Sequence, residues 1–302
     1  MHRGAKIVTR ENIMSDDSTF HEINEAKVSM EDIYNQSDPR AYFRELNKLG
    51  YAIPDTAKPI FQKLIRHLQR DRDDTIHVLD LGCSYGVNAA LLKHDLSMEE
   101  LYDHWGQKAL IEATSEEVVT HDRHFFDNHD EQQDISVIGL DQANSAITFA
   151  EESGLLDEGI IVNLETEQLS ALAKEDLAPV DLVTSTGCVG YLTEKSFERL
   201  LPAVTQGQSP WIANFVLRMF PFDTIEETLH DWGYVTEKLE GRTFDQRQFA
   251  SHEEQEQVIE QLSTQGIDPT GKETEGHLLA EFYLSRPANE VTKAPIEQLL
   301  TT

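Results

Sequence analysis

Two cysteines in 302 residues leave no disulfide framework, so the fold has to rest on its apolar core. Basic residues are scarce: 25 Lys and Arg face 55 Asp and Glu, for a formal net charge of −30. A chain this acidic repels a phosphate backbone unless a local basic patch intervenes, so no nucleic-acid partner is expected. No apolar run approaches the ~20 residues of a membrane span, Trp211–Leu217 being among the longest, and no membrane association is expected. The opening stretch, MHRGAKIVTRENIMSDDS, lacks the apolar centre of a secretory signal, which points to a soluble, cytoplasmic protein. Internal repeats and low-complexity linkers are also missing. The acidity has two readings, a solvated surface suited to a salty medium or attraction for a cationic substrate, and its spread over the whole chain favours the first.

The chain does have 39% apolar and 8% aromatic residues, enough for a core. Its length allows one large domain with appendages or two modest ones. Residues 1–27 are polar and patternless and read as a flexible arm. Residues 28–74 read as a helical lid: Ile60, Phe61, Leu64, Ile65 and Leu68 line one helix face, and Gly50 and Pro54 mark a break before them. From Thr75 the period changes. Short strand-like runs, Thr75–Leu81, Ile135–Leu140, Ile160–Leu164, Asp181–Ser185 and Trp211–Leu217, alternate with helical ones, and His277–Leu284 is a last strand. Alternation of this kind predicts a mostly parallel sheet with helices on both faces, over residues 75–287, followed by a tail at 288–302. Ser251 and Glu254 predict a capping box. About forty residues, 95–134, interrupt the first repeat. There Met98, Leu101, Tyr102, Trp105 and Ala109 predict one inserted amphipathic helix, packed on the body or over a cleft.

The strongest local signal is HVLDLGCSYGVNAALL, with Asp80, Gly82 and Gly86 between strand and helix. So tight a turn requires residues without an obstructing Cβ, and it lies where open α/β sheets bind ligands, beyond the carboxyl ends of their strands. A third fingerprint glycine and a P-loop lysine are both missing, and the acid at the strand end disfavours phosphate. VLDLGCSYG resembles motif I of the class I S-adenosylmethionine-dependent methyltransferases. Asp141, ending VIGLD, is similar to the family's ribose-binding acid, Glu165 in NLETEQL to its adenine-reading position, and DLVTSTGCVGYL to its motif IV. The motifs span residues 75–216, and the strand order continues to about 287. Ser84 stands where the family usually has glycine, and the insertion separates Asp80 from Asp141 more widely than usual. The resemblance implies a Rossmann-like, mostly parallel seven-stranded α/β sheet. It also implies that Asp80, Gly82, Cys83, Ser84, Gly86, Asp141, Gln142, Glu165, Thr166, Ser185 and Thr186 bind S-adenosyl-L-methionine, with S-adenosyl-L-homocysteine as product.

The reaction implied is an in-line methyl transfer whose first demand is alignment, with a base needed only where the acceptor must lose a proton. Tyr191 could orient or deprotonate the acceptor, or be a packing tyrosine. Arg218, with Phe220 and Phe222, could hold a carboxylate against an aromatic wall, or form a surface ion pair. Tyr42, Arg44 and Tyr51 belong to the lid, which in similar enzymes covers the cofactor. Cys83 and Cys188 fit a packing role. His121, His124 and His129, with Asp122, Asp127 and Asp130, match no metal-ligand spacing, so no metal is expected and the segment reads as a solvated loop. A lid plus an insertion favours an enclosed pocket and a small-molecule acceptor with an N, O or S nucleophile. A protein or peptide methyltransferase and a non-catalytic cofactor-binding module are the alternatives. The oligomeric state stays open, a homodimer among the options.

Overall fold

The computed structural model describes residues 31–70, 74–129 and 134–301. The arm at 1–27, the first residues of the expected lid and Asp130 lie outside the described residues. Five parallel strands build the centre: β1 (Ile76–Leu81), β2 (Ile135–Asp141), β3 (Glu158–Ile161), β4 (Leu182–Thr186) and β5 (Trp211–Leu217). Three more follow, β6 (Tyr234–Lys238), β7 (Phe244–Gln248) and β8 (His277–Pro287). The sheet order is β3-β2-β1-β4-β5-β8-β6, and β7 pairs with β8 beside β6. β8 is antiparallel to β5, β6 and β7. Seven strands therefore lie on one path, as the resemblance implies, and β7 is an eighth. It escapes sequence reading because Phe244 is the one apolar residue in FDQRQ, yet Gln246 and Arg247 are buried too.

Side chains alternate between two cores. Ile76, Val78, Ala213 and Phe215 face one layer, and Leu79, Leu81, Ile212 and Val216 the other. Helices cover both faces, as parallel strands require. α1 (Glu31–Tyr34), α2 (Arg40–Lys48), α3 (Ile53–Leu68) and α4 (Val87–Lys93) serve the first layer. Gly50, at φ 62°, makes the turn between α2 and α3, and Pro54 sits in the first turn of α3, where its missing N–H costs nothing. α3 lays Phe61 edge-on against Phe215, with ring centroids 5.5 Å apart. The segment expected as one lid thus has two roles: α3 is a layer of the core, and only α1, α2 and their connections overhang the strand ends.

Among its described residues the insertion folds as three helices instead of one: α5 (Met98–Trp105), α6 (Lys108–Ile111) and α7 (Ser115–Asp127). Capping boxes at Ser97/Glu100 and Thr114/Glu117 start α5 and α7. His121 and His124 stand on α7 where a solvated loop is expected; that capping box was the legible sign. Among the described residues no group of three or more His, Cys, Asp or Glu is placed to hold a metal ion. The insertion is tied together by buried Asp122, whose carboxylate meets His104 Nε2 at 2.7 Å and accepts from Trp105 Nε1 at 3.0 Å. Trp105 in turn stacks on Phe43 of α2 at 4.0 Å between ring centroids, so the insertion braces the overhang from behind.

The sheet repeats continue with α8 (Asn144–Glu152), α9 (Ala171–Leu177), α10 (Glu194–Val204), α11 (Asp223–Asp231) and α12 (His252–Thr264). At α12 the Ser251 hydroxyl accepts from the Glu254 N–H, while Glu254 turns its carboxylate to Ala250 N and to Arg247. The last residues fold into α13 (Ala288–Val291) and α14 (Ile296–Thr301). Ile296 and Leu299 are buried, and Lys63 of α3 donates to the Leu300 carbonyl at 2.5 Å. No helix among the described residues is long and apolar enough to cross a membrane.

Candidate active site

The loop after β1 is shaped by close approaches. Gly82 has φ 72°, and a Cβ there would stand 2.7 Å from the Cβ of Cys188. Gly86, at φ 75°, opens α4 and lies where a Cβ would press on Ala150 and Leu155 at 3.2 and 3.3 Å. Gly82 thus keeps two strand-end loops together, and Gly86 lets α4 seat on α8. Ser84 adopts φ 49° between them. Its backbone N–H donates to Asp141 Oδ2 at 2.9 Å, and the Ala143 N–H donates to Oδ1 at 3.0 Å. The carboxylate, which lines the cavity, is thus oriented by backbone donors and remains an acceptor for a ligand. Burial raises the Asp141 pKa, and the backbone donors of Ala143, Ser84 and Gln142 oppose that rise.

A cavity of about 700 Å³ lies over these strand ends. Its floor and sides include Gly82, Cys83, Ser84, Asp141, Gln142, Glu165 and Thr186, with Tyr191 from the loop after β4 and Tyr42 and Tyr51 from the overhang. The overhang is pinned by the glycine loop's own Tyr85, whose hydroxyl accepts from Gln36 N at 2.8 Å and lies 3.1 Å from the carbonyls of Ile33 and Gln36. Asn35 Oδ1 also accepts from the Ser145 N–H at 2.8 Å. Tyr42 is the hub of an edge-to-face cluster with Tyr34, Phe43, Tyr51 and Tyr85.

Seven expected residues do not line that cavity, buried Phe222 among them. Arg218 is the largest departure: it is buried beyond β5, with Nη1 at 2.5 Å from Glu273 and Nη2 donating to the Asp268 carbonyl. Phe220 is buried beneath Gly190, where a Cβ would meet its ring at 2.6 Å. Ser185 donates to Asn214 inside the sheet at 2.7 Å, since its place in β4 turns it inward. Thr166 is outside the lining, as is Gly86. Asp80 lies behind the wall, accepting from Asn88 Nδ2 at 2.9 Å and from Thr184 Oγ1 at 3.1 Å. Glu165 does reach the cavity, but its carboxylate accepts from Thr193 N, Thr193 Oγ1 and Ser196 Oγ at the start of α10. Burial pushes the Glu165 pKa up, yet those hydrogen bonds hold it below its ordinary value.

Residues missed by the sequence reading line the cavity too: Tyr34, Asn35, Gln36, Asn88, Asn163 and Gln246. Asn88 was legible as the lone polar residue in VNAALL. Its amide also reaches Thr186 Oγ1 at 3.1 Å and transmits the position of Asp80 to the wall. Gln246 had no signal, because only the pairing of β7 carries it there. The two thiols in the wall are poor nucleophiles: burial drives Cys83 far above its ordinary pKa and Cys188 to about 12.

Burial raises the Asp80 carboxyl to about 7, against the pull of Asn88 and Thr184. The folded chain then binds this proton more tightly than the unfolded chain does. The stabilisation is complete below the ordinary carboxyl pKa near ~4 and is lost as pH rises through about 7. Asp80→Asn removes the titration, so its melting temperature relative to wild type should be higher at pH 8 than at pH 5. Thermal unfolding of both proteins at both pH values tests this, and an equal difference at the two would sink it.

No family model and no curated protein matches the chain. It is similar to solved structures at low identity. A TehB-like SAM-dependent methyltransferase from Corynebacterium glutamicum is 14% identical, with 73% of this chain and 86% of that one covered and a TM-score of 0.35. Magnesium protoporphyrin IX methyltransferase from Synechocystis, with bound SAM, is 11% identical over 77% and 80%, TM-score 0.38. The plantazolicin methyltransferase BpumL, in complex with a pentazolic desmethylPZN analog and SAH, is 13% identical over 89% and 99%, TM-score 0.44.

Proposed function

We propose that this chain binds S-adenosyl-L-methionine at the ends of β1 and β2 and transfers its methyl group to a small molecule, releasing S-adenosyl-L-homocysteine. The observation that carries the reading is the meeting of the glycine loop with Asp141. The loop brings bare backbone to the cavity, and opposite it stands a carboxylate, oriented by backbone donors, that lines the cavity and suits the hydroxyls of a ribose. Ser84 Oγ, on a lining residue, is buried and has no hydrogen-bond partner among the described residues. No Lys, Arg or His lines this cavity among the described residues, which argues against a pyrophosphate-bearing ligand.

Asp141 would hold the ribose, while Gln142 and Asn163, joined by a 2.8 Å hydrogen bond, flank the space beside it. Asn88, fixed by Asp80, offers its amide to the polar end of the ligand. The bound cofactor supplies an electrophilic methyl group on a sulfonium. The protein's share of the chemistry is alignment, with Tyr42 and Tyr51 closing the top against water. The overhang is pinned at Tyr85 and Asn35 above a cavity of about 700 Å³, which favours a small acceptor over a folded protein.

Titration of S-adenosylmethionine, S-adenosylhomocysteine and NAD by calorimetry and thermal shift tests the reading. A ligand at a hundred times its Kd stabilises the folded state by about 2.7 kcal/mol. The first two compounds should raise the melting temperature and NAD should not; the reverse pattern would refute the assignment.

A further inference from the structure

The bulge in β7 singles out Gln246. Asp245 pairs with Leu279 of β8 and Arg247 with the next residue, Leu278, so Gln246 drops out of the ladder. A bulge re-aims the side chain it carries, and here that side chain lines the cavity while 9% exposed. Gly187 makes room for it, since a Cβ there would lie 2.8 Å from Gln246 Nε2. The backbone is held as well, with the Ala52 N–H of the overhang donating to the Gln246 carbonyl at 2.8 Å. Next along β7, Arg247 is closed on Glu254 by contacts of 2.6 and 3.0 Å. What is left is Gln246 Oε1, buried and without a hydrogen-bond partner among the described residues. A buried acceptor oxygen so placed calls for a donor on the molecule that fills the cavity.

The walls narrow the choice of donor. Among the described lining residues there is no His or Lys to remove a proton. Thiols and phenols in the wall are kept protonated, since burial raises the pKa of Cys83, Cys188, Tyr42 and Tyr51 alike, and of the lining carboxylates Glu165 is taken up by Thr193 and Ser196. An acceptor thiol or phenol placed here would likewise stay protonated and weakly nucleophilic. A neutral amine carries both an N–H for Oε1 and a lone pair for attack.

We propose that Gln246 binds the methyl acceptor and that the acceptor is a primary or secondary amine, an inference resting on the methyltransferase reading above. The amine donates one N–H to Gln246 Oε1. Its lone pair forms the new carbon–nitrogen bond as the carbon–sulfur bond breaks and its electron pair stays on sulfur. The resulting ammonium gives up its extra proton to water after release.

The test supplies the full chain with S-adenosylmethionine carrying a ¹³C-methyl group, together with a deproteinised cell extract, and assigns the product methyl by NMR. An N-methyl product is expected. An O- or S-methyl product, or none at all from a protein that binds S-adenosylhomocysteine, overturns the proposal. A wild-type protein that fails to bind S-adenosylhomocysteine overturns the methyltransferase reading instead. Gln246→Met, of similar shape but without the oxygen, should lower kcat/KM for the identified amine at least tenfold and weaken that amine's calorimetric binding to the S-adenosylhomocysteine complex by a similar factor. Its melting temperature and its affinity for S-adenosylhomocysteine should stay at wild-type levels, and Gln246→Glu, which keeps an acceptor oxygen, should retain more activity. Unchanged amine binding in Gln246→Met, or a matching loss of S-adenosylhomocysteine binding, overturns the assignment of Gln246.

Discussion

Asp141→Ala should weaken S-adenosylhomocysteine binding by two orders of magnitude or more while the protein still folds. Two hydrogen bonds from ribose hydroxyls to a carboxylate are lost, each worth roughly 1.5–3 kcal/mol, and a tenfold change in affinity corresponds to about 1.4 kcal/mol. The variant also frees the N–H groups of Ser84 and Ala143, which Asp141 now accepts. Part of the loss therefore comes through a looser glycine loop, with a modest fall in melting temperature. Asp141→Asn should fall between wild type and Asp141→Ala, because its single carbonyl oxygen has two lone pairs and can serve one backbone donor and one hydroxyl. Calorimetry on both variants gives the comparison; wild-type affinity in a folded Asp141→Ala protein would remove β2 from the cofactor site.

Arg218→Ala should act on stability and leave the cavity untouched. Arg218 is buried and its partner Glu273 is 1% exposed, with Nη1 and Oε2 2.5 Å apart. Glu281 lies 3.6 Å from Nε and is shared with Lys238. Taking away the guanidinium strands a carboxylate in the interior, and breaking a buried pair in this way costs about 3–5 kcal/mol. For a chain of this length that corresponds to a fall in melting temperature on the order of 10 °C. Affinity for S-adenosylhomocysteine in the folded fraction should match wild type, since Arg218 does not line the cavity. A variant of normal stability that loses turnover would instead return Arg218 to the acceptor site.

What the sequence determined by itself was local or periodic. A run such as Ile76–Leu81 ending in Gly82 encodes a buried strand and a tight turn in adjacent residues, and the alternation of such runs with helical stripes encodes the doubly wound sheet. Asp141 was legible for the same reason, as the acid closing an apolar strand. Only the tertiary structure decided which side chains reach the cavity. Arg218 follows β5 in the chain, yet buried Glu273 draws its guanidinium away from the strand ends, and Ser185 is turned into the sheet toward Asn214. Gln246 arrives from a strand with almost no apolar pattern, placed by a one-residue slip against β8 that no local signal encodes. Hydrophobic period records which face of an element is buried. Where a polar side chain ends up depends on partners distant in the chain, 55 residues away for Arg218 and Glu273, and those meet only when the chain has folded.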